Sequence, residues 1–352
     1  MIDSRTLPKT IYSGAFDTSH CQGIAVDAGR KYMYYSFTQQ LVKTDMQGNL
    51  IGTCGGLTGH LGCIAYNYDD GKVYGSLEYK AKLSFYAAIF DVDKIDRVGM
   101  DAEKDGVMTT VYLPDVVDDF TATLDGSEFV FKGDVNKNST DHRYGCSGID
   151  GTSFGPVFGQ PKDSPKMLMI TYGIYRNDER TDNDYQIIVQ YDWRKFGRYA
   201  RPLNQETHHT SGPRADEKYF VFTGNTDYGV QNLEYDSVSG NWLMCVYRGA
   251  KPQFPNRYMY IIDGSKTAVK TAIWGQKTPE MHPVLQLLED GVYDEKSGVW
   301  GWDFERGSTG IICLGDGYWY LSHENHTEKG SETTVHMYKW TGEAPLGFEE
   351  VK

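Results

Sequence analysis

Apolar and aromatic positions along the chain fall in short runs, each closed by a turn that carries Asp or Gly, which is the pattern of many short strands. The runs repeat as a unit: a Gly opens a short apolar strand, a turn follows, and an aromatic strand comes next. Gln22-Gly23-Ile24-Ala25-Val26-Asp27 leads to Lys31-Tyr32-Met33-Tyr34-Tyr35, and Leu61-Gly62-Cys63-Ile64-Ala65-Tyr66 leads through Asp69-Asp70-Gly71 to Val73-Tyr74. Ser147-Gly148-Ile149-Asp150 starts a third copy. Gly229-Val230-Gln231-Asn232-Leu233-Glu234-Tyr235-Asp236 leads to Trp242-Leu243-Met244, and Thr309-Gly310-Ile311-Ile312-Cys313-Leu314 leads to Trp319-Tyr320.

The repeat glycines at 23, 62, 148, 229 and 310 lie 39, 86, 81 and 81 residues apart. The longer intervals hold either a second, degenerate unit or an insertion. Further strands expected at 86–91, 108–112, 185–191 and 257–262 leave too little chain for an extra unit. Four-stranded units set around an axis are the β-propeller's answer to exposed strand edges. The expected fold is therefore all-β, with residues 1–352 as a single β-propeller domain of five four-stranded blades. Residues 114–145, 193–216 and 275–306 become loops inserted between blades, and Lys9-Thr10-Ile11-Tyr12 closes the ring against Phe348-Glu349-Glu350-Val351. A β-sandwich of similar length is the alternative.

Composition changes this picture little. The 352 residues include 39 Gly, 26 Tyr, 15 Phe and 7 Trp, because glycines punctuate the repeat and tyrosines fill its second strands. That aromatic content excludes disorder. With 35 basic against 48 acidic residues the net charge is −13, which argues against nucleic acid or an anionic membrane as partner. No window reaches the ~20 apolar residues of a membrane span. Met1-Ile2-Asp3-Ser4-Arg5 lacks the order of a signal peptide, so the chain reads as cytosolic or as the mature form of a secreted or periplasmic one. The six cysteines (Cys21, Cys54, Cys63, Cys146, Cys245 and Cys313) have neither paired nor dense spacing and read as small buried apolar residues.

The candidate chemistry follows from the blade plan. In a propeller, the loops leading into the innermost strands and those joining second to third strands emerge on one face. They bring His20, His60, Glu78, Lys80, Tyr228, Glu324 and His323 to one mouth, together with Arg176, Arg248 and Lys251. Convergent titratable groups in a concavity signal a small-molecule or glycan site. Symmetry sets His20 and His60 near the axis in adjacent blades, suited to acid–base work or to a shared cation. Asp150, in the innermost strand of the third blade, is expected to be partly desolvated and raised in pKa. It serves as a catalytic acid or base, as a buried structural carboxylate, or as a ligand of a divalent cation in the central channel. Glu78 and Glu324 could supply the second carboxyl of a glycoside hydrolase. Arg176, Arg248 and Lys251 would bind a carboxylate or sulfate, and Tyr172, Tyr175, Tyr228 and Phe254 would stack on sugar rings.

The innermost-strand pattern with its aromatic second strand, and Ile149-Asp150 followed by Ser153-Phe154, resembles the five-bladed furanosidase-type glycoside hydrolases. That resemblance implies three acids, of which Asp150 matches the middle one. Asp17 lies out of position for the first, and no Glu-Gly-Pro is present for the third. The mouth's His, Tyr and Arg residues are also similar to those of propeller polysaccharide lyases acting on uronic acids, with His20, His60, Tyr228 and Arg248 as base and carboxylate-neutralising groups. The expected function is thus a carbohydrate-active enzyme, a glycoside hydrolase or polysaccharide lyase. Its catalytic residues are His20, His60, Asp150 and Glu78, and its substrate-binding residues are Arg176, Arg248, Lys251, Tyr228, His323 and Glu324. A non-catalytic binding or interaction module is the alternative.

Overall fold

The five glycine-anchored runs become five innermost strands, Cys21–Val26, His60–Asn67, Cys146–Gly155, Thr226–Tyr235 and Ile311–Cys313, each heading an antiparallel sheet. The computed structural model describes residues 2–131, 133, 142–144, 146–174, 177–275 and 278–352. Each innermost strand packs beside the next, and the last packs beside the first, which closes a five-bladed β-propeller. The aromatic runs form the second strands, in registers such as Ile24↔Tyr35 and Tyr235↔Trp242.

Blades stack through their apolar faces. Among the described residues the buried side chains form five clusters, one at each interface between neighbouring blades. Phe85, Phe120, Phe154 and Leu168 join blades two and three, for example, while Ile11, Ile24, Met33 and Tyr320 join blades five and one. Burying a large apolar side chain stabilises a fold by about 1.5–3 kcal/mol, so these faces hold the ring together.

The expected insertions do more than link blades. Residues 114–121 form a helix, Pro114–Thr121, opened by a proline at a position where the missing N–H costs nothing. It buries Val116, Asp119 and Phe120 beside the third innermost strand. The 193–216 stretch turns back to the previous blade, where Arg201–Pro202 extends the edge at Thr109 and Thr110. The 275–306 stretch supplies outer strands. Met281–Leu285 adds in parallel to Glu217–Phe222 of the third blade, and Trp302 bridges to Met259 at the outer side of the fourth.

Ring closure differs from expectation in one respect. Thr10–Phe16 and Phe348–Glu350 do not pair with each other but add end to end to one strand, Gly330–Trp340 of the fifth blade. The N-terminal strand thereby becomes an outer strand of the last blade. Among the described residues, no helix is long and apolar enough to cross a membrane. All six cysteines are free thiols, five of them buried.

Candidate functional site

Four of the five innermost strands carry a bulge at the repeat glycine, where the ladder register slips. A bulge leaves backbone groups unpaired and re-aims side chains, and here it builds the site. In blade three the slip between Cys146 and Ile149 frees the Ile149 N–H, which donates to Glu78 Oε2 of blade two at 2.9 Å. Gly148 has φ +124°, and a Cβ there would lie 2.6 Å from the Lys80 stem and collide with the Glu78 carboxylate. Gly62 admits the neighbouring blade: a Cβ on it would lie 2.8 Å from Asp150 Oδ1.

His60 and Glu78 face each other across adjacent strands of blade two, and Lys80 lies two residues further along on the same side. His60 Nδ1 lies 3.3 Å from Glu78 Oε1 and 3.8 Å from Asp150 Oδ1. Lys80 Nζ lies 3.1 Å from Glu78 Oε1. Gln231 of blade four donates to Asp150 Oδ2 at 3.2 Å, while Asp150 Oδ1 is buried without a hydrogen-bond partner. These residues line a cavity of about 300 Å3 with His20, Gln22, Ser147, Tyr228 and Tyr247. A second hollow of about 400 Å3, with Thr38, Gln205 and His208 in its wall, shares His60, Glu78 and Lys80 with it.

The two carboxyls at this centre are driven apart. Burial, reinforced by the Glu78 charge, pushes Asp150 up to about 7 despite His60 and Lys80. Burial acts on Glu78 as well, but Lys80 and His60 outweigh it and hold that carboxyl below its ordinary value. On His60 burial opposes the charge, and the contacts with Glu78 and Asp150 prevail, raising it. His20 is lowered, first by burial and then by the His60 charge, and its Nε2 lies 2.9 Å from the Gln22 amide nitrogen. One carboxyl raised and one lowered around a shared imidazole is the arrangement expected of acid–base pairs.

His20, His60, Glu78, Asp150 and Tyr228 thus line one cavity. Tyr228 takes a left-handed φ of 61°, and its carbonyl accepts the Ser147 hydroxyl at 2.9 Å. Glu324 lies outside the cavity wall but near enough that its charge acts on Tyr247 and Cys21, and partial desolvation raises its carboxyl to about 7. Arg176, like Tyr175, lies outside the described residues.

Three other expected binding residues sit elsewhere. Lys251 is fully buried and donates to Asn183 Oδ1 at 2.7 Å, to Asp184 Oδ1 at 2.6 Å and to the Arg180 carbonyl, so its ammonium ties loops of blades three and four. Arg248 lies over the Tyr258 ring, 5.1 Å from its centroid, and is absent from the cavity wall. His323 belongs to a hairpin that extends through Thr327 rather than ending in a loop. It stacks on His336 at 4.0 Å and meets the Tyr338 hydroxyl at 2.9 Å. Tyr172 is core, bonded to Asp119, and Phe254 packs on Phe222.

Lys80 falls at the mouth as the blade plan places it, whereas Gln22, Ser147, Gln231 and Tyr247 are cavity residues that the sequence pattern does not single out. Their signal was positional: Gln22 and Gln231 are polar residues inside innermost apolar strands, beside the bulge glycines. Among the described residues no three His, Cys, Asp or Glu side chains are grouped to hold a metal ion.

No family model matches the chain, and no curated protein matches it in sequence. The chain is similar to solved propellers at low identity. It matches the Dos1 propeller at 11% identity and a TM-score of 0.33, covering 94% of this chain and 81% of that one. The β-propeller domain of Cps50 (Swd1) from Myceliophteria thermophila matches at 10% and 0.32, over 90% and 82%. A Bacteroides caccae protein of unknown function matches at 10% and 0.32, over 77% and 87%. The fold itself rests on the strand pairing above.

Proposed function

We propose that this propeller is a carbohydrate-active enzyme whose mouth performs acid–base chemistry on a sugar substrate. The observation that carries this reading is the split between Asp150, raised to about 7, and Glu78, held ionised, around the shared His60. Asp150 is the proton donor. Among the described residues its Oδ1 has no hydrogen-bond partner, which leaves it to carry the proton that would pass to a leaving-group oxygen. Glu78, bonded by Lys80, His60 and the Ile149 N–H, is a positioning residue that orients His60 and raises its proton affinity. Lys80 gives the cavity a cationic wall suited to an acidic sugar, and Tyr228 and Tyr247 line it with aromatic groups of the kind that pack on a sugar's C–H surface.

A glycoside hydrolase needs a second carboxyl, and Glu324 is the candidate. A lyase needs a base beside a neutralised carboxylate, which His60 and Lys80 would supply. Assaying neutral and uronic-acid oligosaccharides separates the two, because hydrolysis releases a reducing end alone whereas elimination also leaves an ultraviolet-absorbing double bond. Asp150→Asn should lose turnover by at least about a hundredfold while still binding substrate. Thermal stabilisation by a sugar with no turnover of any kind would make the propeller a binding module, and neither stabilisation nor turnover would remove the carbohydrate reading.

A further inference from the structure

The channel has a second chamber at its other end. Asn232, on the fourth innermost strand, donates to the carbonyls of Gln22 and Ser308, both at 2.9 Å, and receives the Cys63 thiol at 3.2 Å. One buried amide thus spans blades one, two, four and five and plugs the axis. Tyr228 belongs to the mouth, and Glu234, six residues along the same strand, lies ~20 Å further by strand rise. Around Glu234 is a cavity of about 130 Å3, open to the surface beside Tyr68, that shares no residue with the mouth.

Its walls are mixed. Ile24, Ile64, Phe154 and Ile312 give it an apolar side, and Tyr66 and Tyr68 stand around it. Arg30 and Lys166 bring positive charge. Arg30 takes a left-handed φ of 52°; its Nη2 donates to the Leu314 carbonyl at 2.8 Å, while Nη1 is buried with no partner. Lys166 Nζ lies over the Tyr68 ring, 5.6 Å from its centroid. Among the described residues neither cation forms an ion pair with the nearby acids. Asp27 is consumed by the N–H groups of Gly29, Lys31 and Tyr32, and Asp236 by its own turn at Val238 and Ser239. Glu234 accepts from the Cys313 N–H at 2.9 Å and from the Ser153 hydroxyl at 3.3 Å, and burial raises its carboxyl to about 8, so it is largely protonated at neutral pH.

We propose that this chamber is a binding site for a small organic monocarboxylate, whose anionic end meets the unpartnered Arg30 Nη1 and Lys166 and whose hydrocarbon part lies against Ile24, Ile64 and Phe154. A buried guanidinium N–H left unsatisfied is costly, and a carboxylate is its natural partner. The apolar wall selects against bare phosphate. This site is independent of the chemistry at the mouth.

The test is titration calorimetry of the whole chain with propionate and benzoate, with phosphate and propanol as controls. The expected result is saturable one-to-one binding of at least one carboxylate, no binding of propanol and at least tenfold weaker binding of phosphate. Arg30→Gln and Lys166→Met should each weaken the carboxylate by about tenfold or more, whereas Asp150→Asn should leave its affinity unchanged. If Arg30→Gln unfolds, Lys166→Met carries the test, since among the described residues the Lys166 ammonium donates no hydrogen bond to the fold and lies over the Tyr68 ring. Absence of saturable binding by either carboxylate, or affinities unaltered in the folded variants, would overturn the proposal.

Discussion

Lys251→Met distinguishes a ligand-binding lysine from a structural one. Lys251 is 0% exposed, and its ammonium donates to Asn183, Asp184 and the Arg180 carbonyl, which uses all three of its protons. Methionine keeps much of the stem's bulk but leaves Asp184, itself only 7% exposed, without its ion-pair partner. Removing one member of a buried pair costs about 3–5 kcal/mol, more than replacing both with apolar residues. Urea unfolding at pH 7 should therefore show a loss of that size, and Lys251→Met combined with Asp184→Leu should recover most of it. The pH dependence follows from Asp184. Burial already raises this carboxyl against the pull of Lys251, and without the lysine it rises further. A carboxyl whose folded pKa exceeds its unfolded one weakens the fold as pH rises, so the variant's deficit should shrink as pH falls toward the ordinary aspartate value of 3.8. Turnover of any mouth substrate should be unchanged at temperatures where the variant is folded. A loss below about 1 kcal/mol, or a fall in kcat/KM with stability intact, would refute the structural assignment.

Three further outcomes follow from the geometry. Gly62→Ala places a Cβ 2.8 Å from Asp150 Oδ1 and 3.1 Å from its Cα, so it should cost about 1–3 kcal/mol in thermal unfolding and lower turnover by displacing that carboxyl. Asn232→Leu strips the buried Gln22 carbonyl and the half-buried Ser308 carbonyl of their donor. At about 1–3 kcal/mol for each orphaned group, denaturant unfolding should register a loss of several kcal/mol. His323→Gln should leave mouth activity unaltered and change only the acid side of the stability profile. Burial and then His336 depress the His323 imidazole from 6.5 to about 4, so the wild-type fold loses stability as pH falls through that interval, and thermal melts of the variant should lose that part of the slope.

The strand plan was legible because a bulge and a close inter-blade approach both demand glycine, which left Gly23, Gly62, Gly148, Gly229 and Gly310 as markers of the innermost strands. Proximity of His20 and His60 followed from that symmetry, and desolvation of Asp150 from its place in an innermost strand. Lys251 and His323 were misplaced for one reason: loop membership says that a residue is near a face, not which way its side chain turns. Asp184 draws Lys251 inward, and extension of the fifth-blade hairpin to Thr327 turns His323 onto His336. The outer strands were hidden because Arg201–Pro202 and Met281–Leu285 complete blades other than those adjoining them in sequence. Such pairing is set by packing, not by local pattern. Glu234 escaped notice because an acid in an apolar strand reads as solvent-facing until the neighbouring Ser153 and Cys313 are seen to enclose it.

The proton states of the two mouth carboxyls test the central claim most directly. Carboxyl-carbon NMR across a pH titration, with Asp150→Asn and Glu78→Gln used to assign the two signals, should show Asp150 titrating near 7 and Glu78 below its ordinary value of 4.5. Asp150 titrating near 3.8, the value of an ordinary aspartate, would contradict its role as the proton donor.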